Sequence, residues 1–193
     1  MLNIREEVNS FLNERNFNLK VSNHLRNESL FKSGIDEGDD AKREQVLNLI
    51  QNNQWEDQDP YSFYKSLKKS KHSLMLTDYS PAELSNMKLF KLKGYDIGFA
   101  LKQFEDKGYK EIVAVHNNEP EVKNVGNQIM QAAIRNGGCY LDHFDGFLSN
   151  LYGNMGFGEY KREKYNPKYD KNGEFKARYG EQPVIYRIYK NCK

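Results

Sequence analysis

The sequence predicts an α/β (α+β) chain, a mixed and mainly antiparallel sheet flanked by helices, with a helical N-terminal extension. Three observations carry this expectation. From residue 88 the runs follow the order strand, strand, helix, strand, helix, strand, strand, which requires both antiparallel and parallel pairing. Residues 1–87 show helical patterns only. The 193 residues are 38% apolar with 13 Tyr and 11 Phe, enough for one domain whose core is packed largely by aromatics. The expected division is a helical part over 1–87, packed on or belonging to the same domain, and a sheet-bearing core over 88–193.

Taking the elements in order, Ile4, Val8, Phe11 and Leu12 recur at helical spacing and predict an amphipathic helix over 3–16. "SGIDEGDD", 33–40, reads as a loop in which Asp39 or Asp40 caps a helix carrying Val46, Leu47, Leu49 and Ile50. Pro60 opens another helix, with Tyr61, Tyr64 and Leu67 on one side and lysines on the other. In "SPAEL", 80–84, Ser80 is the N-cap, Pro81 the first helical residue and Glu83 the partner that completes a capping box.

Residues 88–104 and "KEIVAVHN", 110–117, then read as two strands forming an antiparallel pair across a turn at Gly108. "NVGNQIMQAAIRNGG" is a helix with Val125, Ile129, Ala132 and Ala133 on one face, stopped by Gly137-Gly138. "CYLDHF" is a strand and "DGFLSNLYGNMGF" a helix with Leu148, Leu151, Tyr152 and Met155 along one stripe. "GEYKREKY" and "PVIYRIYK" supply the last two strands, separated by a polar excursion over 166–182.

Composition narrows the function classes. The 29 basic and 27 acidic residues leave a net charge of +2, too little for a dedicated nucleic-acid binder. Cys139 and Cys192 are too few for a disulfide framework, and a reducing cytoplasm is the compartment they imply. Cys139 reads as a buried small hydrophobe. No Cys or His spacing fits zinc, and no metal is expected. No signal-length or membrane-length apolar run occurs.

"FLSNLYGNMGF" resembles the helix of the GNAT superfamily of acyl-CoA-dependent N-acyltransferases, with its tyrosine before a terminal Gly-Phe, and the resemblance extends over about residues 88–190. "AIRNGGCYLDHFDGFLSNLYGNMGF" is similar, more narrowly, to GNAT-like proteins of phages and prophages. The resemblance implies a GNAT-like sheet, acetyl-CoA as cofactor and direct acyl transfer to an unknown amine in a host cytoplasm. It implies Tyr152 as the general acid that protonates the departing thiolate. Asp142, His143 and Glu111, in that order, are the candidate bases. The backbone of Ala114, Val115 and His116 would polarise the acyl carbonyl.

The family's pyrophosphate loop, Gln/Arg-x-x-Gly-x-Gly/Ala, aligns with Glu121, Asn124 and Gly126, and only Gly126 matches. The backbone N–H groups of Val125, Gly126, Asn127 and Gln128 remain able to cradle an anion, with Lys123 replacing the missing positive charge. An alternative is a GNAT-like fold without the chemistry that binds a host or viral protein. A weaker third is nucleic-acid contact through residues 160–180, where Tyr and Phe alternate with Lys and Arg.

Simpler readings stand beside these. Tyr152 on an apolar stripe is equally a core residue. Asp145 has the position of a helix N-cap. Asp142 and His143 alternate across their strand and so point to opposite faces, Asp142 being either satisfied by neighbours or facing a solvated groove. His116 ends a strand as a turn residue.

Overall fold

The structure is a computed structural model that describes residues 37–103, 108–170 and 172–192. The helix expected over 3–16 lies outside the described residues. The elements are α1 (Glu37–Gln51), β1 (Trp55–Asp57), α2 (Pro60–Lys69), a 3-10 turn (Ser73–Met75), α3 (Pro81–Leu84), β2 (Met87–Leu92), β3 (Ile97–Gln103) and β4 (Lys110–Asn117). They continue with α4 (Gly126–Arg135), β5 (Gly138–Phe144), α5 (Phe147–Asn154), β6 (Phe157–Glu163), a second 3-10 turn (Pro167–Tyr169), α6 (Glu174–Tyr179) and β7 (Val184–Tyr189).

The strands form one sheet in the order β1-β2-β3-β4-β5-β7-β6. Every pair is antiparallel except β4 with β5, which is parallel. A parallel pair needs a crossover, and α4 supplies it. The result is a mixed sheet, mainly antiparallel, flanked by helices.

Several elements differ from the sequence-based expectation. The run 88–104 is two strands, because Lys93 to Asp96 make a turn in which Gly94 takes φ +78° and Tyr95 N donates to Leu92 O. Trp55–Asp57 adds an unforeseen edge strand, paired with Phe90 to Leu92. Asp39 and Asp40 lie inside α1 and do not cap it. In α2 the buried side is Phe63, Ser66 and Leu67, while Tyr61 is exposed. The polar excursion contains α6, whose Phe175 is buried and stacks on Phe144. The capping box at Ser80 and Glu83 is present in both directions.

Side chains alternate between two layers. On the first face, Val46 and Ile50 of α1 and Ile129, Met130, Ala132 and Ala133 of α4 pack on Phe99, Leu101, Ile112 and Leu141. Each large apolar side chain buried there contributes about 1.5–3 kcal/mol. The two alanines bring α4 close, and a Cβ on Gly138 would stand 2.4 Å from Ile112 Cγ1. On the second face, Phe63 and Leu67 of α2 and Leu84 of α3 cover Leu89, Ala100 and Val113. Toward β5 and β7 this second face is less covered, and Asp142 is exposed there.

Cys139 and Cys192 form a disulfide with Cα atoms 5.5 Å apart, tying the segment after β7 to the start of β5. The expectation of two unpaired thiols is corrected, and with it the argument from cysteine usage to a reducing compartment. Their separation of 53 residues carries no local signal of pairing; the adjacency is made by the antiparallel register of β5 with β7.

Candidate functional site

The parallel seam is short. β4 and β5 are in register only at Lys110 with Gly138 and Glu111 with Tyr140. Beyond this, β5 pairs with β7 on its other side and β4 with β3, so the two strands part and leave backbone groups of Val113 to His116 without a strand neighbour on that side among the described residues. A bulge sits at the same place. Ala100 pairs with Val113 and Gly98 with His116, so Ala114 and Val115 together oppose Phe99, and Ala114 takes φ +54°. A non-glycine residue held there is strained, and such strain persists only where surrounding contacts fix it.

His116 supplies one of those contacts. Its side chain is fully buried beside Phe63, and Nδ1 lies 3.1 Å from Ala114 O. A carbonyl only accepts, so Nδ1 carries the proton. Nε2 faces Asp96 Oδ1 at 3.7 Å, beyond hydrogen-bond reach, and the nearness of His116, then hydrogen bonding from Ser66 and Asn118, holds the Asp96 carboxyl well below the usual carboxylate range. His116 is therefore a buried structural residue of the bulge and no turn residue.

The N-terminus of α4 lies on the α1 side. Val125 is its N-cap and no side chain caps it. Asn124 takes φ +60°, and nothing stands within 4 Å of where a Cβ on Gly126 would be. Val125 is buried, so it can offer only its backbone, whereas Gly126 and Asn127 are exposed and Gln128 half-buried with an unpaired Oε1. Free N–H groups at a helix start favour an anion. Glu121 does not stand alone: Lys42 of α1 pairs with it at 2.8 Å and with Glu119 at 3.4 Å, and Arg43 Nε donates to Lys123 O at 3.3 Å. These two cations, about 80 residues upstream, were not legible in the sequence. Only the packing of α1 on α4 brings them there.

Tyr152 of α5 lies on the first face, its ring edge-on to His143 at 5.1 Å and to Phe157 at 6.1 Å. No residue of α5 is fully buried. The Tyr152 pKa is pushed up to about 12 by burial and then by the charge of Asp142, so the phenol is protonated at neutral pH. No hydrogen bond within the described residues engages its hydroxyl.

His143 is fully engaged. Nδ1 lies 2.7 Å from Phe144 O and Nε2 accepts from Arg187 Nε at 2.9 Å. Burial holds the His143 pKa down, and with its one lone pair committed the ring has none for a substrate proton. Asp142 points to the opposite face, where the residue keeps solvent contact but neighbouring groups crowd its carboxyl, and that desolvation raises its pKa. On that face Glu111 is buried, with Lys102 Nζ 3.8 Å away. Its pKa is pushed up to about 7 by burial first and then by Asp142. The structure thus puts Glu111 and Asp142 on one face at the vertex of the parting strands, and His143 and Tyr152 on the other.

Asp145 is not the N-cap of α5. That residue is Gly146, at φ +124°. Asp145 accepts instead from Ser149 Oγ and Gly146 N and pairs with Arg162 Nη1 at 2.5 Å, which together pull its pKa to about 2. In the 160–180 segment, Lys161, Arg162 and Lys176 are all paired with carboxylates. Asp170 accepts from Phe175 N, Lys176 N and Tyr165 Oη. Among the described residues, no group of three or more His, Cys, Asp or Glu is arranged to hold a metal ion, and no helix is long and apolar enough to cross a membrane.

No family model matches the chain, and no curated protein does. Two solved structures of N-acetylglutamate synthase from Neisseria gonorrhoeae align with it, one complexed with coenzyme A and L-arginine, the other with coenzyme A and N-acetyl-glutamate. Each aligns over 70% of this chain at 14% identity with a TM-score of 0.43. The chain spans 32% and 34% of the length of those two proteins.

Proposed function

We propose that this chain is an acyl-CoA-dependent N-acyltransferase that passes an acyl group, acetyl in the first instance, directly to an amine. The observation that carries the reading is the parting of β4 from β5 beside the strained Ala114 bulge, which leaves strand backbone free to hold an acyl carbonyl.

The residues present fit acetyl-CoA. Gly126 leaves open space at an uncapped helix start, and Lys42 neutralises Glu121. Backbone groups of Val125, Gly126, Asn127 and Gln128 would hold the pyrophosphate, with Lys123 beside them, and the Val115 backbone the acyl arm. Acetyl-CoA, when bound, supplies the activated thioester. Tyr152, protonated at neutral pH and without a hydrogen-bond acceptor among the described residues, is the proton donor of this reading. Glu111 is its base, ahead of Asp142 and His143, because a carboxyl with a pKa of about 7 both accepts and releases a proton near neutrality. The phage-type assignment and a host cytoplasmic location rest on the stretch 133–157 alone.

A second reading, a GNAT-like binding protein without the chemistry, is favoured by Glu121 and Asn124, which depart from the pyrophosphate loop. A thermal-shift titration separates the two. Saturating acetyl-CoA should raise the melting temperature, since a ligand that binds only the folded state must stabilise it. An unchanged melting temperature sinks the transferase and leaves the binding protein.

A further inference from the structure

Half-buried Asp96 and buried His116 face one another behind the Ala114 bulge, and the proposed chemistry uses neither. Asp96 closes the turn between β2 and β3 and is held on three sides. Its N–H donates to Glu119 Oε1 at 2.8 Å, its carbonyl accepts from Asn118 N at 2.9 Å, and its Oδ2 accepts from Asn118 Nδ2 at 3.1 Å. The same Asn118 Nδ2 donates to Ser66 O of α2 at 2.8 Å, which anchors it. The carboxylate is thereby fixed with Oδ1 turned to His116 Nε2 at 3.7 Å.

The ring cannot turn away. Phe63 of α2 stands edge-on to it at 5.1 Å, and on the other side only the missing Cβ of Gly98 leaves it room. Oδ1 of Asp96 and Nε2 of His116 are both closed to solvent, and neither has a hydrogen-bond partner among the described residues. Because Nδ1 gives its hydrogen to Ala114 O, a bare Nε2 would set a lone pair before a buried anion, which is costly. A hydrogen on Nε2 turns the same geometry into attraction, since an opposite charge within about 4–6 Å favours the charged form. Asp96 is the ionised group that faces the ring, and Phe63, its neighbour from α2, does not titrate.

The consequence passes through one peptide. The Ala114–Val115 peptide is planar and trans, so with Ala114 O turned to His116 the Val115 N–H points away from that ring. A charge-assisted hydrogen bond at the carbonyl end draws electron density from the N–H end and makes it the stronger donor. Val115 lies in the stretch of β4 that β5 leaves open.

We infer that Asp96 is a positioning residue: it holds His116 as the imidazolium, which fixes the Ala114 carbonyl and strengthens the Val115 N–H as a donor to an acyl carbonyl. The imidazolium rests on the pair alone; its action on an acyl carbonyl rests on the transferase reading.

Two spectroscopic measurements on the full chain test this. Nitrogen NMR of the histidine rings at neutral pH should show both His116 nitrogens carrying hydrogen. In Asp96→Asn the ring should be neutral with its hydrogen on Nδ1, since the new amide can donate to the Nε2 lone pair and keeps the shape of the carboxylate. A neutral His116 in the wild type overturns the inference without recourse to any variant, and so does an unchanged ring charge in Asp96→Asn. Infrared spectroscopy with carbonyl-labelled acetyl-CoA reads the second half. The thioester carbonyl band should move to lower frequency on binding, and in saturated Asp96→Asn that shift should be about 10–30% smaller, the share a polarised neighbour adds to a hydrogen bond. A purely structural role would leave the shift of the bound cofactor unmoved, and an equal shift removes Asp96 from the positioning. A doubly protonated, Asp96-dependent His116 without acetyl-CoA binding sinks the transferase and leaves the ion pair as a lock on the bulge. Acetyl-CoA binding beside a neutral His116 does the reverse.

Discussion

Arg187 donates its Nε hydrogen to His143 Nε2 at 2.9 Å, while its Nη1 donates to Phe157 O at 3.0 Å. A buried guanidinium thus takes the lone pair that would make His143 a base. His143→Ala should therefore act on stability, by about 2–4 kcal/mol, since it leaves a buried charged donor without its acceptor and opens a cavity. Urea denaturation measures this. The pH–rate profile of the folded fraction should keep its shape, and a lost inflection would return His143 to the chemistry.

Tyr152→Phe removes a hydroxyl that makes no hydrogen bond within the described residues while keeping the ring contacts to His143 and Phe157. Stability should change by less than about 1 kcal/mol. If Tyr152 is the proton donor, turnover should fall about 100-fold with acetyl-CoA affinity retained. Turnover equal to wild type would leave Tyr152 as a packing residue only.

Glu111 has a folded pKa of about 7 against an ordinary 4.5. The folded state holds this proton more tightly than the unfolded one, so stability is highest below about pH 4.5 and falls as pH rises toward 7. Glu111→Gln should abolish that loss, making the variant the more stable protein above pH 7 by at most roughly 2–3 kcal/mol and no more stable in acid. Urea midpoints across this range give the answer. Wild-type turnover should rise with pH around 7 as the carboxyl ionises, and the Gln variant should lack that rise.

Gly98 makes room for the bulge. A Cβ there would lie 2.6 Å from Phe90 O and 2.8 Å from His116 Cε1. Gly98→Ala should cost about 1–3 kcal/mol, because a backbone oxygen and a fully buried ring must both move. It should also weaken acetyl-CoA binding, since His116 is what holds the Ala114 carbonyl. A variant as stable as wild type, by thermal unfolding, would show that the bulge yields without cost.

What was legible in the sequence was local. The capping box at Ser80, the helix over 126–135 with its alanine face, and the opposite facing of Asp142 and His143 follow from spacing over a few residues. Trp55–Asp57 was not legible, because a three-residue polar edge strand has no alternation to show. Nor was the turn at Gly94, which sat inside a run that alternated well enough to pass for one strand. Asp145 looked like a cap because caps are Asp, yet Gly146 alone tolerates the φ that α5 begins with.

The site divides the same way. Tyr152 and Gly126 could be singled out only through the family resemblance of their stretches, since the apolar stripe by itself reads as core. Glu111 ranked behind Asp142 and His143, because the burial that lifts its pKa comes from neighbouring strands and the helices over them. The Arg187 partner of His143, 44 residues away, and Lys42 beside Glu121 are products of sheet register and helix packing, which no local pattern encodes.

The disulfide closes residues 139–192 into a covalent ring. Pulled by its two ends, the chain would pass the load from one sulfur to the other, and the strands β5, β6 and β7 inside the ring would bear none of it. Stretched, the oxidised molecule would be shorter than the reduced one by roughly 180 Å, the contour of the bypassed segment. The strands ahead of the ring would unzip first, while the half that carries Asp142, Tyr152 and Arg187 stayed shut until its sulfur link was cut.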